Sequence, residues 1–202
     1  KQTVPTIYNG IDTKRFAPED TKPLYDFLYI GRHIEIKGIQ YIIKALSLID
    51  EKEAKLAIAG TGPYTAELKK MVDDLGLSQQ VDFLGFVPDE KLCSLYNQSK
   101  IIVLPSYARE GVLTTMLEAA ACARPVITTQ NTSMEEFLKD GVNGLTVPGQ
   151  DSHALSQAMS KLYHDKNLRD MLGQNNFKSV TQDWSWEQQA FKLSNLYETL
   201  IK

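Results

Sequence analysis

At 202 residues, 43% hydrophobic and 23% charged, the chain is long enough to bury one good-sized core and has the make-up of an ordinary soluble domain. A formal net charge of −3 argues against a nucleic-acid-binding protein, whose footprint is usually basic. No apolar run reaches the about 18 residues of a membrane span, no secretory leader is visible, and two cysteines make no disulfide framework, so a reducing cytosol is the expected setting.

The first residues, Lys1-Gln2-Thr3-Val4-Pro5, read as the end of a linker, which makes the chain an expected fragment of a longer protein. Apolar runs and helical patterns then alternate. Strands are predicted at Phe27–Ile30, Leu56–Ala59, Val81–Leu84, Ile101–Leu104, Val126–Thr128 and Gly144–Val147, the last after an Asn143-Gly144 turn. Helices are predicted at about Gly38–Leu48, Tyr64–Leu75, Asp89–Asn97, Thr114–Ala123 and Ser133–Leu138, with a helical pattern from Asp151 to the end. The short runs bounded by Pro and Gly suit buried parallel strands. This repeated strand–helix order predicts one α/β domain over residues 1–202, a Rossmann-like doubly wound parallel sheet of about six strands with helices on both faces.

In such sheets ligands sit at the carboxyl ends of the strands, which selects a few loops. After the first strand comes Gly31-Arg32-His33-Ile34-Glu35-Ile36-Lys37-Gly38. Gly31 allows close backbone approach, and Arg32 and Lys37 are cations suited to phosphate, or else two solvated loop cations. After the second strand, Gly60-Thr61-Gly62-Pro63 fails the dinucleotide fingerprint, since Thr65 stands where a small residue is needed and Pro63 is foreign to it. After the third, Gly85-Phe86-Val87-Pro88 is either a ligand loop or a plain connection. After the fourth come Glu110 and Gly111, beside the free amides and positive dipole end of a helix, which can hold a phosphate. Glu110 and Glu118 are eight positions apart, about 12 Å of helical rise. That exceeds the about 5–9.5 Å of paired glycosidase carboxylates. The two therefore grip different parts of one long ligand, or are simply exposed. Gln130-Asn131-Thr132-Ser133 is assigned no role. His33, His153 and His164 are read as chemically idle, and no residues show zinc-site spacing.

Glu110-Gly111-Val112-Leu113-Thr114-Thr115-Met116-Leu117-Glu118, followed by small residues and Pro125-Val126-Ile127, resembles the signature of the retaining GT-B-fold glycosyltransferases of the family-4, group 1 type. The loop Gly31-Arg32 to Lys37-Gly38, the Gly60-x-Gly62-Pro63 turn, the leading Asn9-Gly10-Ile11-Asp12 with Phe16 and Pro18, and a closing helix within residues 184–202 resemble the same family. The resemblance implies the donor-binding, C-terminal half of a hexosyltransferase that transfers with retention to a sugar, lipid-linked or polysaccharide acceptor. Its donor would be a nucleotide-diphosphate sugar, a UDP-sugar in preference to a GDP- or ADP-sugar, with no metal and no further cofactor. By the same resemblance Arg32, Lys37 and Gly31 meet the diphosphate, backbone groups of Phe86 and Val87 the base, Glu118 the ribose, and Glu110 the donor sugar. Amides of Gly111, Val112, Leu113 and Thr114 would face sugar and phosphate. Leu113 departs from the family's usual Gly. An N-terminal acceptor-binding domain is the implied partner, and the cytoplasm, or the inner membrane face for a full-length protein, the implied location. A sugar-nucleotide 2-epimerase and a non-catalytic nucleotide-sugar-binding module share the architecture and stand as alternatives.

Overall fold

Six parallel strands pair in the order β3-β2-β1-β4-β5-β6 in the computed structural model, which describes residues 6–108, 111–112, 114–130 and 133–201. The strands are β1 (Tyr25–Ile30), β2 (Leu56–Ala59), β3 (Val81–Gly85), β4 (Ser99–Leu104), β5 (Val126–Thr129) and β6 (Gly144–Val147). All six fall where the apolar runs place them, with one or two residues added at the ends of β1, β3, β4 and β5. Phe27, Leu28, Leu56, Ala57, Ile58, Ile101, Ile102, Val103, Val126 and Ile127 are wholly buried, because both faces of the sheet are covered.

The helices α1 (Ile39–Leu48), α2 (Thr65–Asp74), α3 (Asp89–Asn97) and α4 (Thr114–Ala121) connect successive strands. Among them α1 packs against α2, and α3 against α4. The helix expected to run to Ala123 stops at Ala121: Ala123 turns left-handed (φ 54°), and the Arg124 amide reaches back to the Ala119 carbonyl at 2.9 Å. The helical tail is three helices, α5 (Ser152–His164), α6 (Lys166–Asp183) and α7 (Trp186–Ile201). Asp165 breaks the first from the second by capping α6, its carboxylate accepting from the Leu168 amide at 2.9 Å. α5 covers α1 and α6 covers α4. Among the described residues no helix is long and apolar enough to cross a membrane.

The leading segment is tied to the far end of the chain. Ile11 forms a parallel bridge with Ser185, its amide donating to the Trp184 carbonyl at 3.0 Å, and Tyr8 packs on Trp184 with ring centres 4.9 Å apart. Phe16 is buried edge-on to Tyr96.

The sheet order reverses direction between β1 and β4. Strands run outward from β1 to β2 and β3, and the chain then returns to build β4, β5 and β6 on the other side. Loops at the carboxyl ends of β1 and β4 must part at this point, and the crevice between them is where an open α/β sheet takes a ligand.

Candidate nucleotide-sugar site

Two loops meet in that crevice, and backbone contacts hold each in place. On the β2 side, Gly60 has φ 115°, and a Cβ there would lie 1.9 Å from the Gly31 carbonyl oxygen, so only glycine lets the loops after β1 and β2 close on each other. The His33 amide donates to the Thr61 carbonyl (3.0 Å), and the His33 carbonyl accepts from the Tyr64 amide (3.1 Å). The expectation of an idle loop histidine needs correction. His33 is 1% exposed. The Thr65 hydroxyl donates to the Gly62 carbonyl (2.8 Å), so it accepts from His33 Nδ1 (2.9 Å). Burial pushes the His33 imidazole below its ordinary pKa. His33 is thus the pin between the Arg32 loop and the start of α2.

On the β4 side, Gly38 adopts φ 77° at the start of α1, where a Cβ would sit 2.2 Å from the Pro105 carbonyl oxygen. The Ile36 carbonyl accepts from the Tyr107 amide (3.1 Å) and the Ser106 hydroxyl (3.2 Å). Tyr29 reaches up from β1 to donate its hydroxyl to the Arg32 carbonyl at 3.1 Å. These contacts make a rigid rim with a cavity of about 110 Å³ in it, walled by Gly31 and Lys37 on one side and by Ser106, Thr114 and Thr115 on the other.

The residues singled out in the sequence fall around this rim as follows. Gly31 and Lys37 line the cavity, and Arg32, next to Gly31 in the chain, is exposed and does not line it. Thr114 opens α4 and lines it too, so the first amides of that helix, which have no intrahelical partner, lie at the cavity. Gly111 is exposed and Val112 is half-buried against the core. Glu110 and Leu113 lie outside the described residues. Phe86 is 77% exposed at the end of β3, while Val87 packs against the core. Glu118 shares the α4 face of Thr114 and Thr115, one turn further in, being four and three residues on. Its carboxylate accepts a hydrogen bond from the buried Tyr96 hydroxyl on α3 at 2.7 Å. Burial pushes the Glu118 carboxyl pKa up, while the Tyr96 hydroxyl and the nearby Arg15 guanidinium hold it down.

Ser106, Thr115 and Tyr96 carry no role in the sequence reading, and His33 is read there only as a chemically idle loop residue. Ser and Thr carry no positional signal in a loop, and Tyr96 reads as one more apolar residue of α3. Only their contacts reveal them.

Residues 11–179 match the family described as glycosyl transferases group 1. The chain belongs to that family. A glycosyltransferase of Methanocaldococcus jannaschii, MJ1607, is 30% identical over 218 residues, covering 98% of this chain and 55% of that protein. The GDP-mannose-dependent alpha-(1-6)-phosphatidylinositol monomannoside mannosyltransferase of Mycolicibacterium smegmatis is 29% identical over 206 residues, covering 93% of this chain and 54% of its own. The chain therefore spans about half the length of these relatives. The fold is similar to that of Anabaena HepE, solved with UDP and glucose: the TM-score is 0.88, with 20% identity, over 96% of this chain and 56% of that one.

Proposed function

We propose that this chain is the donor-binding half of a retaining, metal-independent GT-B hexosyltransferase, and that its donor is a nucleotide-diphosphate sugar. One observation carries the reading: at the switch point between β1 and β4, the Arg32–Lys37 loop and the amino end of α4 converge on a single cavity. A diphosphate placed there lies by the Lys37 side chain and the first amides of α4, and the exposed Arg32 next to Gly31 would swing its guanidinium onto it. When the bond from anomeric carbon to phosphate oxygen breaks, negative charge grows on the departing diphosphate. Fixed cations and amides that face this charge stabilise the transition state more than the ground state. Arg32 and Lys37 supply that positive charge in place of a metal ion. Glu118 holds the ribose and Glu110 orients the sugar. The backbone around Phe86 and Val87 flanks the base, with the exposed Phe86 ring beside it.

The bases named for relatives differ, GDP-mannose for the mycobacterial enzyme and UDP for HepE. We favour a UDP-sugar, and the acceptor belongs to a second domain. Calorimetry with UDP, GDP and ADP in the presence of a metal chelator tests the reading. Binding of one diphosphate, unchanged by chelator, is expected. Binding that vanishes with chelator sinks the metal-independent part, and no binding at all sinks the whole.

A further inference from the structure

Tyr96 has no place in the donor contacts described above. Yet it is 0% exposed, and its hydroxyl needs a partner in the core. That partner is a carboxylate, the costly choice for a buried position. The nearby Ser99 hydroxyl, at the start of β4, makes the cheaper one, donating to the Leu95 carbonyl of α3 at 2.8 Å. The Tyr96–Glu118 bond, at 2.7 Å, crosses from α3 to α4 and is charge-assisted.

The Tyr96 ring has little freedom. Phe16 stands edge-on to it, with centroids 6.2 Å apart. α3 is tied to the leading segment at both ends: Arg15 pairs with Asp89 (3.3 Å) and donates to its carbonyl (2.8 Å), and Asn97 donates to the Ala17 carbonyl (2.9 Å). Among the described residues, Tyr96 alone hydrogen-bonds the Glu118 carboxylate. One carboxylate oxygen is thus fixed from inside the protein. Glu118 follows Thr114 and Thr115 on one face of α4, and its second carboxylate oxygen, purely an acceptor when ionised, is matched to the donor hydroxyls of a ribose.

We propose that Tyr96 is a positioning residue: it clamps one oxygen of Glu118 from behind, so that the other is presented to a ribose hydroxyl of the bound nucleoside diphosphate. The proposal rests on the donor-site reading given under Proposed function. Preorganising the acceptor removes the rotamer entropy that a free Glu side chain would lose on binding.

The clamp also bears on the protonation of Glu118: burial pushes its carboxyl pKa up, and the Tyr96 hydroxyl opposes that. Of the ionisable groups facing it, Tyr96 on α3 and Arg15 on the leading segment favour the carboxylate, and Asp89 at the start of α3 opposes it. Cys122, at the end of α4, faces the other side of Tyr96. Without the Tyr96 hydroxyl the Glu118 carboxyl takes up a proton at higher pH, and the ribose contact is lost there.

The test compares wild type with Tyr96→Phe by calorimetry, using whichever of UDP, GDP and ADP binds and its 2′-deoxy and 3′-deoxy analogues. The substitution should weaken the ribonucleotide about tenfold, the loss expected for one hydrogen bond to a charged group. At least one deoxy analogue should bind wild type and variant alike, within about twofold. The acid limb of ribonucleotide binding should move to higher pH in the variant. Equal losses for the ribonucleotide and both deoxy analogues, or an unmoved acid limb, would overturn the assignment and leave Tyr96 a core residue. If Tyr96→Phe does not fold, Glu118→Asp keeps the charge but cannot span both partners. It should abolish the preference for the hydroxyl, and a preference kept in full overturns the proposal. Failure of wild type to bind any of the three diphosphates is a different result: it removes the donor-site reading, and this proposal with it.

Discussion

Arg32 is exposed and Lys37 partly so, and each sits at the rim of the cavity without filling the core. Arg32→Ala and Lys37→Ala should each weaken nucleoside diphosphate binding while shifting the melting temperature by only a few degrees, since surface changes of this kind are usually within about 0.5 kcal/mol. Calorimetry and thermal melts on the same samples check this, and an unfolded variant would make the residue structural. Gly60 behaves in the opposite way. Gly60→Ala puts a Cβ within 1.9 Å of the Gly31 oxygen at φ 115°, so the two loops must separate. Urea titration should show a loss of about 1–3 kcal/mol, in the range of a strained backbone position, together with weakened ligand binding. His33 links pH to the same loops. Its pKa in the fold lies below the ordinary 6.5, so on acidification the unfolded chain takes the proton first. The His33 contribution is complete above that value and declines as pH falls below it. The pH slope of the urea midpoint should therefore flatten on the acid side in His33→Gln. His164, whose pKa is raised by the Ser160 carbonyl and by Glu51, slopes the other way but equally in both proteins, so it cancels in the comparison.

Between elements, the seam of α3 with the end of α4 brings together what the sequence keeps apart. Tyr96 meets Glu118 there, and one turn away Cys93 Sγ lies 4.0 Å from Cys122 Sγ. The two thiols have different surroundings. Cys122 is wholly buried, and burial pushes its thiol pKa far up, whereas Cys93 is half-buried at the helix surface. The thiolate is the reactive form. Iodoacetamide should therefore alkylate Cys93 in the native protein and reach Cys122 only after denaturation, as read by peptide mass spectrometry. Modification of Cys122 at the same rate as Cys93 would mean that the seam opens readily.

At the scale of the whole molecule, one sheet carries one set of ligand loops, and the chain covers about half of its relatives. On the reading proposed above, the cations, helix amides and carboxylate address a donor. Holding donor and acceptor together is worth about 7–11 kcal/mol of barrier, and on the proposed reading the acceptor is held by a second domain, so this half forgoes much of it. A transferase also closes its site against water, commonly between two bodies. These 202 residues should therefore bind a nucleotide sugar but transfer it far more slowly than the full-length protein. Product formation with the best-binding donor and a panel of acceptors decides this, and comparable rates would refute the half-enzyme reading. Trp186, Phe191 and Tyr197 leave more than half of their surface exposed on α7.

The sequence by itself determined the elements and the loops at which a ligand is expected. Runs such as Leu56–Ala59 and Ile101–Leu104 are apolar over their whole length, and an unbroken apolar strand belongs only in a covered parallel sheet. Gly31, Arg32 and Lys37 were candidates from their strand-to-helix loop, and the family resemblance was what singled them out from merely solvated residues. The tertiary structure alone decided which loops meet. Gly38 against Pro105, Gly60 against Gly31 and Tyr96 against Glu118 are contacts between segments that no period of 2 or 3.6 residues relates. The ends of the helices were settled in the same way, by the left-handed turn at Ala123 and the cap at Asp165. His33 shows the difference most plainly. A histidine in a polar loop reads as solvated until the loop after β2 folds over it, and only that closure turns it into a buried pin beneath the site.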